Sequence, residues 1–156
     1  MPVRVADLIL DPPVFLAPMA GITDLPFRRI VQRFGTGLTV SEMVASGEMI
    51  TARPSVRAKA RTDLGMDEGV TSVQLAGREA LPMAEAARIV TDLGARIIDI
   101  NMGCPAKQVT GGYSGSALMR DPDHALKLIE AVVGATHLPV TLKCRLGCEH
   151  DCMQAP

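Results

Sequence analysis

Five short apolar runs, spaced by amphipathic stretches and glycine-rich loops, constrain this chain more than any other feature. Residues 14–17 read as a buried strand ending at Pro18, and 38–42, 71–75, 96–101 and 139–143 repeat the pattern. Between them, residues 24–34 predict a helix with Thr23 or Asp24 as cap, Pro26 in its first turn and Gly35 at its end. Residues 79–93 predict a second helix that buries Met83, Ala86, Ala87, Val90 and Leu93 and stops at Gly94. Asp121-Pro122-Asp123 opens a third, running to about residue 133 with Leu126, Ile129, Val132 and Val133 on one face. Near-continuous apolar strands alternating with helices indicate an α/β protein whose parallel sheet is covered on both faces.

A doubly wound open sheet and a TIM (β/α)8 barrel both satisfy this order, and both gather chemistry at the C-terminal ends of the strands. Here those ends read Ala17-Pro18-Met19-Ala20-Gly21, Ser41-Glu42-Met43, Gln74-Leu75-Ala76-Gly77, Asn101-Met102-Gly103-Cys104-Pro105 and Lys143-Cys144-Arg145-Leu146-Gly147. Polar or special-backbone residues at every exit favour the barrel, because they suit a site assembled from many loops. Such a barrel runs to about 250 residues and at least about 200. With 156 residues and roughly five strands, the chain is expected to be the first part of a barrel. Its open sheet edges are then an aggregation hazard.

Composition narrows the function classes. A formal charge of −1 with 47% hydrophobic residues suits one globular domain and excludes a disordered tail. Three Phe, one Tyr and no Trp leave no aromatic platform for stacking bases, and the balanced charge announces no nucleic acid. The densest basic stretch, Arg53, Arg57, Lys59 and Arg61, reads as a solvated loop or helix face, with an RNA contact as the alternative. No apolar run reaches the ~18 residues of a membrane span. The faintly signal-like start is interrupted by Asp7, Asp11 and Pro12-Pro13, so a cytoplasmic location is expected.

Cys104, Cys144, Cys148 and Cys152 do not form a secreted disulfide pattern. The spacing of the last three would put three thiols on one helical face, but it matches no familiar zinc pattern, His150 makes a doubtful fourth ligand, and no metal site is expected. Cys104 is the one with a chemical context. It sits between Gly103 and Pro105 at a strand exit, where backbone can come close to a ligand. A thiol, with an ordinary pKa of about 8.5, stays mostly protonated near neutrality and can hand a proton to carbon where a carboxyl would already be ionised. The glycine-rich run 111–116 lacks the ending of a P-loop and the dinucleotide fingerprint, and reads as a mobile loop compatible with an anion nest.

Taken together and in order, these five strand-end motifs, with Gly115-Ser116-Ala117-Leu118, resemble the tRNA-dihydrouridine synthase family, most closely its bacterial B-type. The resemblance covers about residues 10–147 and implies the N-terminal part of a flavin-dependent TIM barrel. It implies that NADPH reduces FMN, that hydride then passes to C6 of a tRNA uridine, and that Cys104 protonates C5. Asn101 and Arg145 match residues that hold the uracil, and Lys143 lies where a cation would meet both flavin and base. Gln74 matches a flavin-ring partner, and Pro18, Met19 and Ala20 a backbone turn beneath the ring. The base must leave its stack, which is cheapest in an irregular segment such as the tRNA D-loop. After Gly147 the chain departs from the family, with Cys148 where Trp is common. The family's later phosphate-binding loops and C-terminal helical tRNA-binding domain are expected to be absent. Other flavin barrels, such as dihydroorotate dehydrogenases, carry Ser before the cysteine and Asn after the proline, which Gly103 and Ala106 do not match. A non-catalytic half-barrel that binds FMN weakly or self-associates through open edges is the alternative for the isolated chain.

Overall fold

The computed structural model describes residues 1–52, 61, 63–65, 71–149 and 152–153. Of the basic stretch, Arg53, Arg57 and Lys59 lie outside the described residues, as does His150. An antiparallel hairpin comes first, β1 (Val3–Val5) with β2 (Leu8–Leu10). The main sheet follows: β3 (Phe15–Leu16), β4 (Leu38–Val40), β5 (Val44–Ala45), β6 (Thr71–Ala76), β7 (Ile97–Met102) and β8 (Val140–Cys144). All its pairings are parallel, and β3, β4, β6, β7 and β8 neighbour one another in chain order. A doubly wound sheet would reverse its order at a switch point. This one does not, and the fold is the first part of a (β/α)8 barrel.

The three helices expected from the sequence form within a residue of their expected bounds. In α1 (Leu25–Arg33) the Asp24 side chain accepts a hydrogen bond from the Phe27 N–H at 3.0 Å, and Gly35 ends it at φ +81°. Short α2 (Ser46–Thr51) follows β5, and α3 (Ala80–Asp92) follows β6. After β7 come a single turn, α4 (Lys107–Thr110), a 3-10 segment (Gly115–Arg120), and α5 (Pro122–Val133), capped by Asp121. A last antiparallel pair, β9 (Gly147–Glu149) with β10 (Cys152–Met153), carries Cys148 and Cys152 on strands, so the three cysteines share no helical face.

Val73, Leu75, Ile98, Ile100 and Met102 point outward from the sheet into a core shared with Met83, Ala86, Ala87 and Val90 of α3 and Ala125, Leu128 and Val132 of α5. The expected apolar face of α5 is thereby corrected. Ile129 and Val132 pack inward, but Leu126 and Val133 are each 52% exposed, on a flank where no described element covers them. On the inner side, Leu38, Val40 and Ile97 pack against Leu10 of the hairpin. This apolar plug fills the inner face near the strands' N-terminal ends and leaves the C-terminal ends to polar side chains.

Candidate active site

Eight residues expected to form the site come from four strand exits, and all eight line one cavity of about 240 Å³: Pro18, Met19, Ala20, Gln74, Asn101, Cys104, Lys143 and Arg145. Met43, Gly103 and Pro105 complete its wall. Strand register explains the convergence. Gln74, Asp99 and Thr141 share one rung across β6, β7 and β8, and Asn101 faces Lys143 one inward-pointing step further on.

A hydrogen-bonded relay crosses these rungs. The buried Asp99 carboxylate accepts from Thr141 Oγ1 and Gln74 Nε2, both at 2.6 Å. With its amide nitrogen turned to Asp99, Gln74 presents Oε1 to Asn101 Nδ2 at 2.8 Å. Asn101 Oδ1 therefore faces the loop, accepting from the backbone N–H groups of Gly103 at 3.2 Å and Cys104 at 3.0 Å. An ionised carboxylate only accepts, so Asp99 sets the amide orientation of Gln74, and through it that of Asn101. Lys143 Nζ makes no hydrogen bond or ion pair to another described residue and is left for a ligand.

Burial pushes the Asp99 carboxyl above its ordinary 3.8, opposed by the hydrogen bonds from Thr141 and Gln74 and the charge of Lys143. A raised folded-state value means that this group's contribution to stability is complete below 3.8 and is lost as pH rises through the raised value. Asp99→Asn has no such titration. The unaltered protein should therefore lose stability relative to Asp99→Asn as pH climbs above 3.8. Melting temperatures of both across that range check this, and a constant difference between them would remove the burial penalty.

The thiol is held by backbone. Cys104 is half-buried and free; its carbonyl accepts from the Ser116 N–H at 2.9 Å, and Arg145 Nε donates to the Gly103 carbonyl at 2.7 Å. Gly115, at φ +62°, lies so close that a Cβ there would meet the Cys104 carbonyl oxygen at 2.6 Å. The glycine-rich loop is not an anion nest. The N–H groups of Gly111, Gly112, Tyr113, Ser114 and Ser116 all donate to carbonyls within the fold.

A bulge shapes the opposite wall. Val40 pairs with Ser72 and Val44 with Leu75, so four steps on one strand match three on the other. The Ser41 hydroxyl closes the gap, accepting from the Gln74 N–H at 3.2 Å and donating to the Glu42 carbonyl at 2.8 Å. Met43 is thereby turned into the cavity, where its sulfur lies 3.7 Å from Asn101 Nδ2. Asp99, Thr141, Ser41 and Met43 escaped the sequence reading of individual site residues. Asp99 carried a usable signal, since a carboxylate inside a doubly covered strand demands a partner. Thr141 carried none.

Parallel strands in chain order, with a polar cavity at their C-terminal ends, define a (β/α)8-barrel protein whose site lies in the loops after the strands. The family model described as Dihydrouridine synthase (Dus) matches residues 15–155. A Rhodobacter capsulatus protein named "Probable tRNA-dihydrouridine synthase" is 73% identical over 99% of this chain and 48% of its own length. A Rhizobium leguminosarum protein of the same name is 62% identical over 92% of this chain and 44% of its own length. The "tRNA-dihydrouridine synthase B" of Xanthomonas campestris is 48% identical over 94% of this chain and 44% of its own length. Among solved structures, histamine dehydrogenase from Rhizobium sp. 4-9 shares the fold, with a TM-score of 0.60 at 14% identity over 90% of this chain and 33% of that one. The chain belongs to the dihydrouridine synthase family, and it spans about half the length of the curated relatives it matches. No helix among the described residues is long and apolar enough to cross a membrane.

Proposed function

We propose that this chain supplies the uracil-facing part of a cytoplasmic tRNA-dihydrouridine synthase, which reduces the C5=C6 bond of a tRNA uridine with FMN as cofactor and NADPH as reductant. What carries the reading is one cavity in which Cys104 stands beside Asn101, Gln74, Lys143 and Arg145. The donor set suits a flavin ring: Pro18, Met19, Ala20 and Met43 offer an apolar surface, while Gln74 and Lys143 offer polar contacts at its edge. When bound, the flavin supplies the hydride delivered to the base.

The remaining work falls to the chain. Asn101 and Arg145 hold the uracil, Lys143 offsets negative charge that develops beside it, and Cys104 delivers the proton to C5. A thiol placed beside the base is a proton donor of the kind that last task needs. The Asn101 amide, fixed by Gln74 and Asp99, keeps the Cys104 backbone in register with the cavity.

A flavin fluorescence titration tests the site. FMN fluorescence is expected to be quenched saturably, with Gln74→Ala weakening binding about fivefold and Lys143→Ala about tenfold or more. Dihydrouridine formation in tRNA is then the second readout. The alternative, a half-barrel that binds flavin weakly or self-associates, draws on the exposure of Phe15 and Leu142 on strands β3 and β8, each 41%. Quenching that fails to saturate, from an associated species, would favour it.

A further inference from the structure

A second cavity, of about 660 Å³, adjoins the first and shares Pro105 and Arg145 with it. Lys107 and Arg120 stand on its wall, together with Thr110, Ser116 and Gly147, and no carboxylate lines it. In a chain of net charge −1, three cations around a cavity without an acid are not the background composition. Neither the Lys107 ammonium nor the Arg120 guanidinium makes a hydrogen bond or ion pair to another described residue. Arg145 spends Nε on the Gly103 carbonyl, which leaves its terminal nitrogens for a ligand. Cations gathered without partners cost electrostatic energy, and an anion between them relieves it.

We propose that this cavity holds a phosphodiester of the RNA strand, next to the nucleotide whose base enters the cavity of Cys104. The inference rests on the RNA substrate of the proposed function and adds where its backbone is gripped. Two features favour a strand over the phosphate of a resident cofactor. The N–H groups of Gly111, Gly112, Tyr113, Ser114 and Ser116 in the neighbouring loop donate to carbonyls of the fold, which leaves the charged side chains on the wall as the main donors. Lys107 and Arg120 are solvent-exposed, as suits a polyanion that arrives and leaves. Arg145, on the wall of both cavities, would touch base and backbone together and so fix the register in which the uridine meets the thiol.

The test measures binding of a fluorescent RNA hairpin with a uridine in its loop, by anisotropy across a salt series. The proteins are the unaltered protein, the double variant Lys107→Gln/Arg120→Gln, and Lys127→Gln as a control on the exposed side of α5. The double variant is expected to bind roughly tenfold more weakly, with the slope of log affinity against log salt shallower by about 0.7 per lost phosphate contact. The control should match the unaltered protein. Equal loss in the control, unchanged affinity in the double variant, or no RNA binding by the unaltered protein would each overturn the site.

FMN and riboflavin titrations separate the two phosphate sources. If the double variant loses the preference for FMN over riboflavin, the cavity holds the cofactor's phosphate and the proposal falls. Uridine reduction in tRNA separates this site from the function it rests on. RNA binding that depends on Lys107 and Arg120 without any reduction would sink the catalytic reading and leave the site standing. Reduction with an unchanged KM for tRNA in the double variant would do the reverse.

Discussion

Cys104→Ala is expected to lower dihydrouridine formation about 10²- to 10⁴-fold while leaving FMN affinity unchanged. That range is typical of removing a positioned general acid. The separation of effects follows from how the residue is held. Its N–H goes to Asn101 Oδ1 and its carbonyl accepts from Ser116, so alanine keeps both anchors and loses only the thiol. Mass spectrometry of tRNA treated with each protein gives the dihydrouridine yield, and flavin quenching gives the affinity. Undiminished yield would remove Cys104 as the acid, and a parallel loss of flavin would make it a structural residue.

Gly115→Ala should be the most disruptive small change near the site, costing about 2–5 kcal/mol of stability. The left-handed backbone alone costs an L-residue roughly 1–2 kcal/mol, and overpacking about 1–3 more. The new Cβ would sit 2.6 Å from the Cys104 carbonyl oxygen and 2.8 Å from Val109 Cγ1. The carbonyl cannot simply retreat, because it holds the Ser116 N–H. Gly112→Ala is the internal control: its Cβ would meet only the Val109 carbonyl oxygen, at an ordinary 3.5 Å. Urea unfolding of both variants decides the matter, and equal stability would mean that the loop does not press on the thiol's backbone.

The α/β layering was legible because hydrophobic periodicity reports which faces are covered. β6 and β7 are buried at every residue, and their outward-facing Val73, Leu75, Ile98, Ile100 and Met102 supplied the apolar signal, although Gln74, Asp99 and Asn101 interrupt it. The helices α1 and α5 announced themselves through Asp24, Asp121 and their prolines, which act locally. The N-terminal hairpin did not, since three-residue strands carry too little pattern and Leu10 earns its burial from distant Leu38 and Ile97. The face of α5 was misread because Leu126 and Ile129 stand three apart, like a buried pair, while the stripe that packs runs through Ala125 and Leu128. At the site, the residues singled out from the strand-end motifs line one cavity. Asp99 and Thr141 act through other side chains across strands 25 and 42 residues away in sequence, a coupling that no local pattern records.

The bulge between β4 and β5 behaves like a dislocation in a crystal row. Ahead of it even-numbered residues face inward, as Leu38 and Val40 do, and behind it the odd-numbered Met43 does. The two phases meet at Ser41, whose hydroxyl stands in for the missing rung. An undislocated strand in the phase of Val40 would aim Glu42 at the cavity instead of Met43. A soft, uncharged sulfur would give way to a carboxylate beside Asn101, opposing Lys143 and repelling any phosphate or reduced ring drawn to it. The sign of the charge at the centre of the barrel thus depends on one serine oxygen keeping two halves of a strand out of step.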